Sequence, residues 1–143
     1  MSKLSDFKIV GPLGKGSFGT VFKVVRIIDG GTYVMKQISI SEMARAEQQA
    51  AVAEVHLLAS LDSALVTRYY DSFVDRGLLC IVMELCDRGD LQRLIKKQQA
   101  SDKLLSEKLI WTLLLQIVAG VGYLHSKRIL HRWVSGVRPK PRT

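Results

Sequence analysis

Short runs rich in β-branched and aromatic residues dominate the first part of the chain, and helically spaced apolar residues dominate the second. Phe7–Val10 and Val21–Ile28 read as strands around a glycine-rich turn, because Val21-Phe22-Lys23-Val24-Val25 holds the residue types that suit a pleated surface. Asp29-Gly30-Gly31 reads as a hairpin turn and Thr32–Ile40 as a third strand. Ser41–Ser60 is rich in helix formers, and Val52, Val55 and Leu58 fall at helical spacing as its buried face. Leu65–Phe73 and Leu78–Leu85 complete the strands, parted by Asp75-Arg76-Gly77. After the loop Asp87-Arg88-Gly89, Asp90 caps a short helix through Gln98, and Ser106 caps a last one. In that helix Leu109, Ile110, Leu113, Leu114, Ile117, Val118, Val121 and Leu124 cover more than one face, which predicts burial on several sides. From Trp133 the periodicity stops, and two prolines mark an unstructured tail.

Composition narrows the classes. The 143 residues are 48% hydrophobic, which is globular rather than disordered. A net charge of +8 raises nucleic acid or an anionic membrane as partners. Half of that excess sits in Arg132, Arg138, Lys140 and Arg142, and no aromatic platform is interleaved with it, which weakens the nucleic-acid reading. Cys80 and Cys86 match neither a disulfide scaffold nor a zinc site and read as reduced thiols of a cytoplasmic protein. The N-terminus shows no signal peptide. The apolar stretch from Leu109 to Leu124 falls short of the roughly 18–20 residues of a membrane span and reads as a buried helix.

The chemistry lies in motifs whose order matters more than any one of them. Gly14-Lys15-Gly16-Ser17-Phe18-Gly19 is G-x-G-x-x-G, a spelling shared with dinucleotide-binding folds, where the glycines open a helix. Here Thr20-Val21-Phe22-Lys23-Val24 follows, which is strand. That order fits a two-stranded flap over nucleotide phosphates, whose backbone N–H groups can approach the oxygens because side chains are missing. Lys36 stands on the third strand, where an ammonium can reach phosphates, and Glu54 on the following helix is its expected partner. Glu47 is the rival, two turns earlier in a more polar stretch. Leu79–Cys86 reads as a strand running into a hinge. There Met83 would back an adenine pocket, Glu84 would offer a carbonyl, and Cys86 an N–H and a carbonyl. Leu13, Val21 and Val34 would roof the base, although each alone is equally ordinary core.

Together these words resemble the NIMA-related family of serine/threonine protein kinases. The matching runs are Gly14–Phe22, Glu42–Gln49, Arg68-Tyr69-Tyr70-Asp71 and Ile81–Leu91, within a likeness that covers residues 4 to 132. The resemblance implies an α+β fold: a kinase N-lobe and hinge over residues 4–86, made of a five-stranded antiparallel sheet and one helix, then the start of a mostly helical C-lobe over 87–132, and a basic tail over 133–143. It implies ATP and magnesium as cofactors, a protein Ser or Thr as acceptor, Asp90 near the ribose edge, and cytoplasmic work in cell division, centrosomes or cilia. His131 and Arg132 match the opening of the catalytic loop, with His131 a packing residue in the family; His56 and His125 read as surface or packing residues.

The departure is at Trp133, which stands where the family has the catalytic Asp. An indole carries no basic lone pair and cannot accept the proton of a substrate hydroxyl. The magnesium-holding Asn, the Asp-Phe-Gly motif and the activation loop are not among the 143 residues. The chain is therefore expected to be a truncated, catalytically incompetent relative, its tail the product of sequence never selected to fold, such as an intron read through. Two alternatives stay open: a non-catalytic nucleotide- or partner-binding module, and a basic nucleic-acid-binding fragment.

Overall fold

The computed structural model describes residues 2–16, 19–87 and 89–129, and the chain divides into two compact units, Met1–Arg88 and Gly89–Thr143. The first unit holds β1 (Phe7–Gly16), β2 (Gly19–Arg26), β3 (Thr32–Ser39), α1 (Arg45–Ala59), β4 (Tyr69–Asp75) and β5 (Leu78–Glu84). The five strands form one antiparallel sheet in the order β1-β2-β3-β5-β4. The second unit holds α2 (Leu91–Ala100) and α3 (Glu107–Ser126).

Strand alternation sends side chains to two faces. On one face Phe7, Val24, Tyr33, Met35, Phe73, Cys80 and Val82 form a core, with Leu4 and Phe22 packed against it. The sheet curls so far that Phe7 in one edge strand stacks on Phe73 in the other, ring centroids 5.7 Å apart. On the other face Ile38, Leu79 and Ile81 bury Val55 of α1. A short helical turn at Leu4–Asp6 straps the first face: the Leu4 N–H donates to Asp75 at 2.9 Å, the Ser2 hydroxyl donates to Asp71, and the Asp6 carbonyl accepts from the Ile27 N–H at 2.9 Å.

Local chemistry explains where the elements begin and end. β1 runs through the glycines to Gly16 instead of stopping at Val10, since Lys15 pairs with Thr20 and Gly16 with Gly19. Irregular register absorbs Val10 and Leu13, and Pro12 is tolerated in an edge strand. α1 starts at Arg45 rather than Ser41, because Glu47 accepts from the Ala44 N–H at 3.0 Å and Gln48 ties down the carbonyls of Ile40 and Met43. Val52 is exposed and Ala51 packs inward instead, so the buried face is rotated by one residue from the one expected. β4 starts at Tyr69, not Leu65, because Ser63 holds Leu65 and Val66 in a turn. Arg76 and Gly77, both at positive φ, make the two-residue turn into β5.

The β2–β3 hairpin is closed by one carboxylate. Asp29 accepts from the Gly31 N–H, the Tyr33 hydroxyl and the Arg26 guanidinium, which also lies 4.7 Å over the Tyr33 ring. The Arg26 bond first, then the Gly31 N–H, hold the Asp29 carboxyl well below the usual carboxylate range. A folded-state pKa below the unfolded one stabilises above the unfolded value and fades as pH falls through the acid range. Asp29→Asn is therefore expected to lower the melting temperature at pH 7, with the gap to wild type closing below about pH 4, as thermal melts across pH would show.

In the second unit Asp90 caps α2 by accepting from the Arg93 N–H at 2.7 Å, and the helix runs two residues past Gln98. Ser106 caps α3 through the Leu109 N–H at 3.3 Å. Two expectations for α3 need correction. With its polar ends it has 20 residues and is long and apolar enough, by length and composition alone, to cross a membrane; core helices of soluble domains meet the same measure. Nor is it buried on several sides. Only Gly120 and Leu124 are buried, while Ile110, Trp111, Leu114, Leu115, Ile117 and Val118 are exposed. The tail from Trp133, with His131 and Arg132, lies outside the described residues.

Candidate functional site

Strand register assembles the site. Directly opposed residues of an antiparallel pair share a face, so two rows can be read across the first unit. One row is Gly14, Val21, Lys36 and Ile81; the next is Gly11, Lys23, Val34 and Met83. Both rows lie on the α1 side of the sheet, because Ile81 and Met83 pack with Val55 while the intervening Phe22, Met35 and Val82 belong to the opposite core. Val21, Val34, Lys36 and Met83 thus share one half-buried face.

Lys36 Nζ lies 3.8 Å from Glu54 Oε1, with the lysine side chain 28% exposed and the glutamate 57%. Such an exposed pair contributes only about 0–1 kcal/mol, so its consequence is orientation rather than stability. Glu47 is occupied at the start of α1. Burial of Val55, the next residue, sets the roll of the helix that carries Glu54.

The glycines differ in their surroundings. A Cβ on Gly14 would meet nothing within 4 Å, whereas one on Gly19 would lie 2.0 Å from the Gln37 carbonyl oxygen. Gly14 therefore leaves room over the sheet, and Gly19 permits β2 to approach β3. Leu13 is exposed at a register shift, and Lys15 is exposed opposite Thr20. Ser17 and Phe18 lie outside the described residues, as does the side-chain environment of Gly16.

At the end of β5 the Glu84 N–H donates to the Arg68 carbonyl at 2.9 Å, and the Glu84 carboxylate accepts from the Arg68 N–H at 3.2 Å. Cys86 is exposed just beyond. Asp90 belongs to the second unit, where its described role is the α2 cap. Sequence reading missed two positions that shape the site: Ile81, opposite Lys36, and Gln48, which anchors the loop into α1. The signal for Ile81 was its place two residues before Met83, on the same side of the strand.

An adenine nucleotide fits this face. Apolar Val21, Val34 and Met83 can hold a flat base, the space over Gly14 admits a phosphate, and Lys36 supplies the opposite charge. No group of three or more His, Cys, Asp or Glu gathers among the described residues.

A five-stranded antiparallel sheet, a glycine hairpin and a strand lysine paired to a helix glutamate are the arrangement of a protein-kinase N-lobe. The family model of the protein kinase domain matches residues 7–134, and the chain belongs to the protein kinase family. Among its relatives it is similar to probable serine/threonine-protein kinase nek2 of Dictyostelium discoideum, 40% identical over 134 residues, 90% of this chain and 32% of the relative. Serine/threonine-protein kinase Nek2 of Homo sapiens is 33% identical over 138 residues, 92% of this chain and 31% of the relative. Nek1 of Mus musculus is 38% identical over 120 residues, 84% of this chain and 10% of the relative. The chain thus spans a third or less of the length of these relatives.

Proposed function

We propose that the first unit is the ATP-binding lobe of a NIMA-related serine/threonine protein kinase, and that the chain with Trp133 binds nucleotide without transferring phosphate. The observation that carries the binding half is the shared face of Val21, Val34, Lys36 and Met83, with Lys36 oriented by Glu54. In this reading the apolar residues exclude water from the base, the Glu84 carbonyl and the Cys86 backbone meet its edge, and the Lys36 ammonium holds the phosphates. ATP, when bound, supplies the transferable phosphoryl group, and a protein Ser or Thr hydroxyl is the acceptor class. Such a protein would work in the cytoplasm or at the cytoskeletal structures that NIMA-related kinases serve.

The catalytic half rests on Trp133. A positioned general base contributes about 10²–10⁴ in rate, and an indole supplies none of it. This favours the reading of a nucleotide-binding module over that of a working enzyme.

Two assays on the purified chain test the proposal. ATP is expected to raise the melting temperature, and Lys36→Ala to weaken ATP binding roughly ten- to a hundredfold, the range for a hydrogen bond to a charged group. No phosphorylation of a generic protein substrate is expected. Absence of any ATP effect would refute the binding half. Transfer that disappears in Lys36→Ala would refute the catalytic half.

A further inference from the structure

Two polar fastenings join α1 to the strand that carries Lys36. At one end Glu54 Oε1 lies 3.8 Å from Lys36 Nζ. At the other, Gln48 Nε2 donates to the Ile40 carbonyl at 3.0 Å and to the Met43 carbonyl at 3.1 Å. Both partners are carbonyls, so the amide nitrogen with its two hydrogens, and not the amide oxygen, must face them. Ile40 directly follows β3 and is itself tied to the sheet, its N–H donating to the Gly77 carbonyl at 3.0 Å. Lys36 to Ile40 spans roughly 13 Å of extended chain, and Gln48 to Glu54 about 9 Å of helix. Strand and helix thus form two sides of a ring, closed by Gln48 at one end and by the ion pair at the other.

Packing alone holds α1 lightly. Val55 is the one buried residue of the helix, with Ala51 and Leu58 half-buried against the same cluster. Gln48, also half-buried, continues that stripe, because it precedes Val55 by almost two helical turns. The loop residues whose carbonyls it holds, Ile40 and Met43, pack against that cluster as well. The side chain of Glu54, by contrast, is 57% exposed, and an ion pair so open to water does little to hold a helix in place. A single buried valine fixes the roll of α1 and leaves its first turns free to tilt; the Gln48 bonds remove that freedom.

We propose that Gln48 is a positioning residue for the Lys36–Glu54 pair: by pinning the start of α1 to the end of β3, its amide keeps Glu54 within reach of the lysine. Its consequence for a ligand rests on the ATP-binding reading above. Were Gln48 only to stabilise the loop, its loss would leave the pair unmoved.

A zero-length carbodiimide cross-linker joins an amine to a carboxylate only where the two meet. Mass spectrometry of the whole chain then reads the Lys36–Glu54 bond with no nucleotide present. Wild type is expected to form it and Glu54→Gln to lose it. Gln48→Met keeps the reach and the helix propensity without the donors, and its yield is expected to fall roughly two- to fivefold. Cys80, buried in β5, should stay as protected from a thiol reagent as in wild type. Gln48→Lys, whose ammonium can donate to the same carbonyls, should keep most of the yield, and Gln49→Met, at the exposed neighbouring position, should keep all of it. Wild-type yield in Gln48→Met overturns the proposal, and so does an equal fall in Gln49→Met or in Gln48→Lys. A fall that comes with loss of Cys80 protection assigns Gln48 to general stability and overturns it too. ATP titration of the same variants keeps the two readings apart, with Gln48→Met expected to weaken ATP roughly two- to fivefold. If wild type binds no ATP while Gln48→Met still lowers the cross-link, the nucleotide reading falls and the positioning of the pair stands.

Discussion

Ile81→Ala is expected to destabilise the first unit by about 2–5 kcal/mol, the range for truncating a buried aliphatic side chain in a core that relaxes only partly. Ile81 is 1% exposed, lies opposite Lys36 in the ladder, and packs with Ile38, Leu79 and Val55. Its side chain is thus the floor on which α1 rests, and α1 carries Glu54. Urea denaturation gives the stability change, with Ile81→Val as the graded control at about 0.5–1.5 kcal/mol. A loss below about 1 kcal/mol for alanine would mean that α1 is not packed on this part of the sheet. Nucleotide affinity should fall further than stability alone explains, because the roll of α1 sets the position of the glutamate.

Gly19→Val is expected to be the most disruptive change in the glycine motif. A Cβ there would sit 2.0 Å from the Gln37 carbonyl oxygen and 3.2 Å from Ile38 Cα, all backbone, so β2 must part from β3 to admit it. Overpacking of this kind costs about 1–3 kcal/mol where side chains can yield, and here the obstruction is the ladder itself. Gly14→Ala makes the contrast, since its Cβ meets open space; thermal stability should hold while ATP affinity drops. If both variants melt alike, the two glycines do not divide the work of strand approach and ligand access.

Much of this was legible in the residues. A lone lysine in a strand usually reads as a solvated charge; what singled out Lys36 was Glu54, amid apolar positions on the following helix, and the structure pairs the two at 3.8 Å. The five strands and three main helices followed from residue type and spacing. What escaped was set by neighbours. Ser63 turned an apolar run, Leu65 and Val66, into loop. The glycines of β1 look like a turn until pairing with β2 makes them strand. Ala51 and Val52 differ by one residue on the helix, and only the sheet beneath decides which faces it. Register likewise placed Lys23 beside the site, since a lysine in a strand carries no mark of which row it joins. For α3, apolar residues on several faces suggested burial, yet the described structure leaves most of them uncovered.

The two cysteines turn the sheet into its own clock. Cys80 is 0% exposed in central strand β5, and burial, with Asp75 adding to it, pushes its thiol up to about 11. Cys86, six residues on, is exposed. A thiol reagent at neutral pH therefore meets one site immediately and the other only when the strands separate, which makes the second reaction a measure of how often the sheet opens. Because both reporters sit on one chain, the fast site counts the molecules and the slow one times them, with and without nucleotide, in a single mass-spectrometric trace.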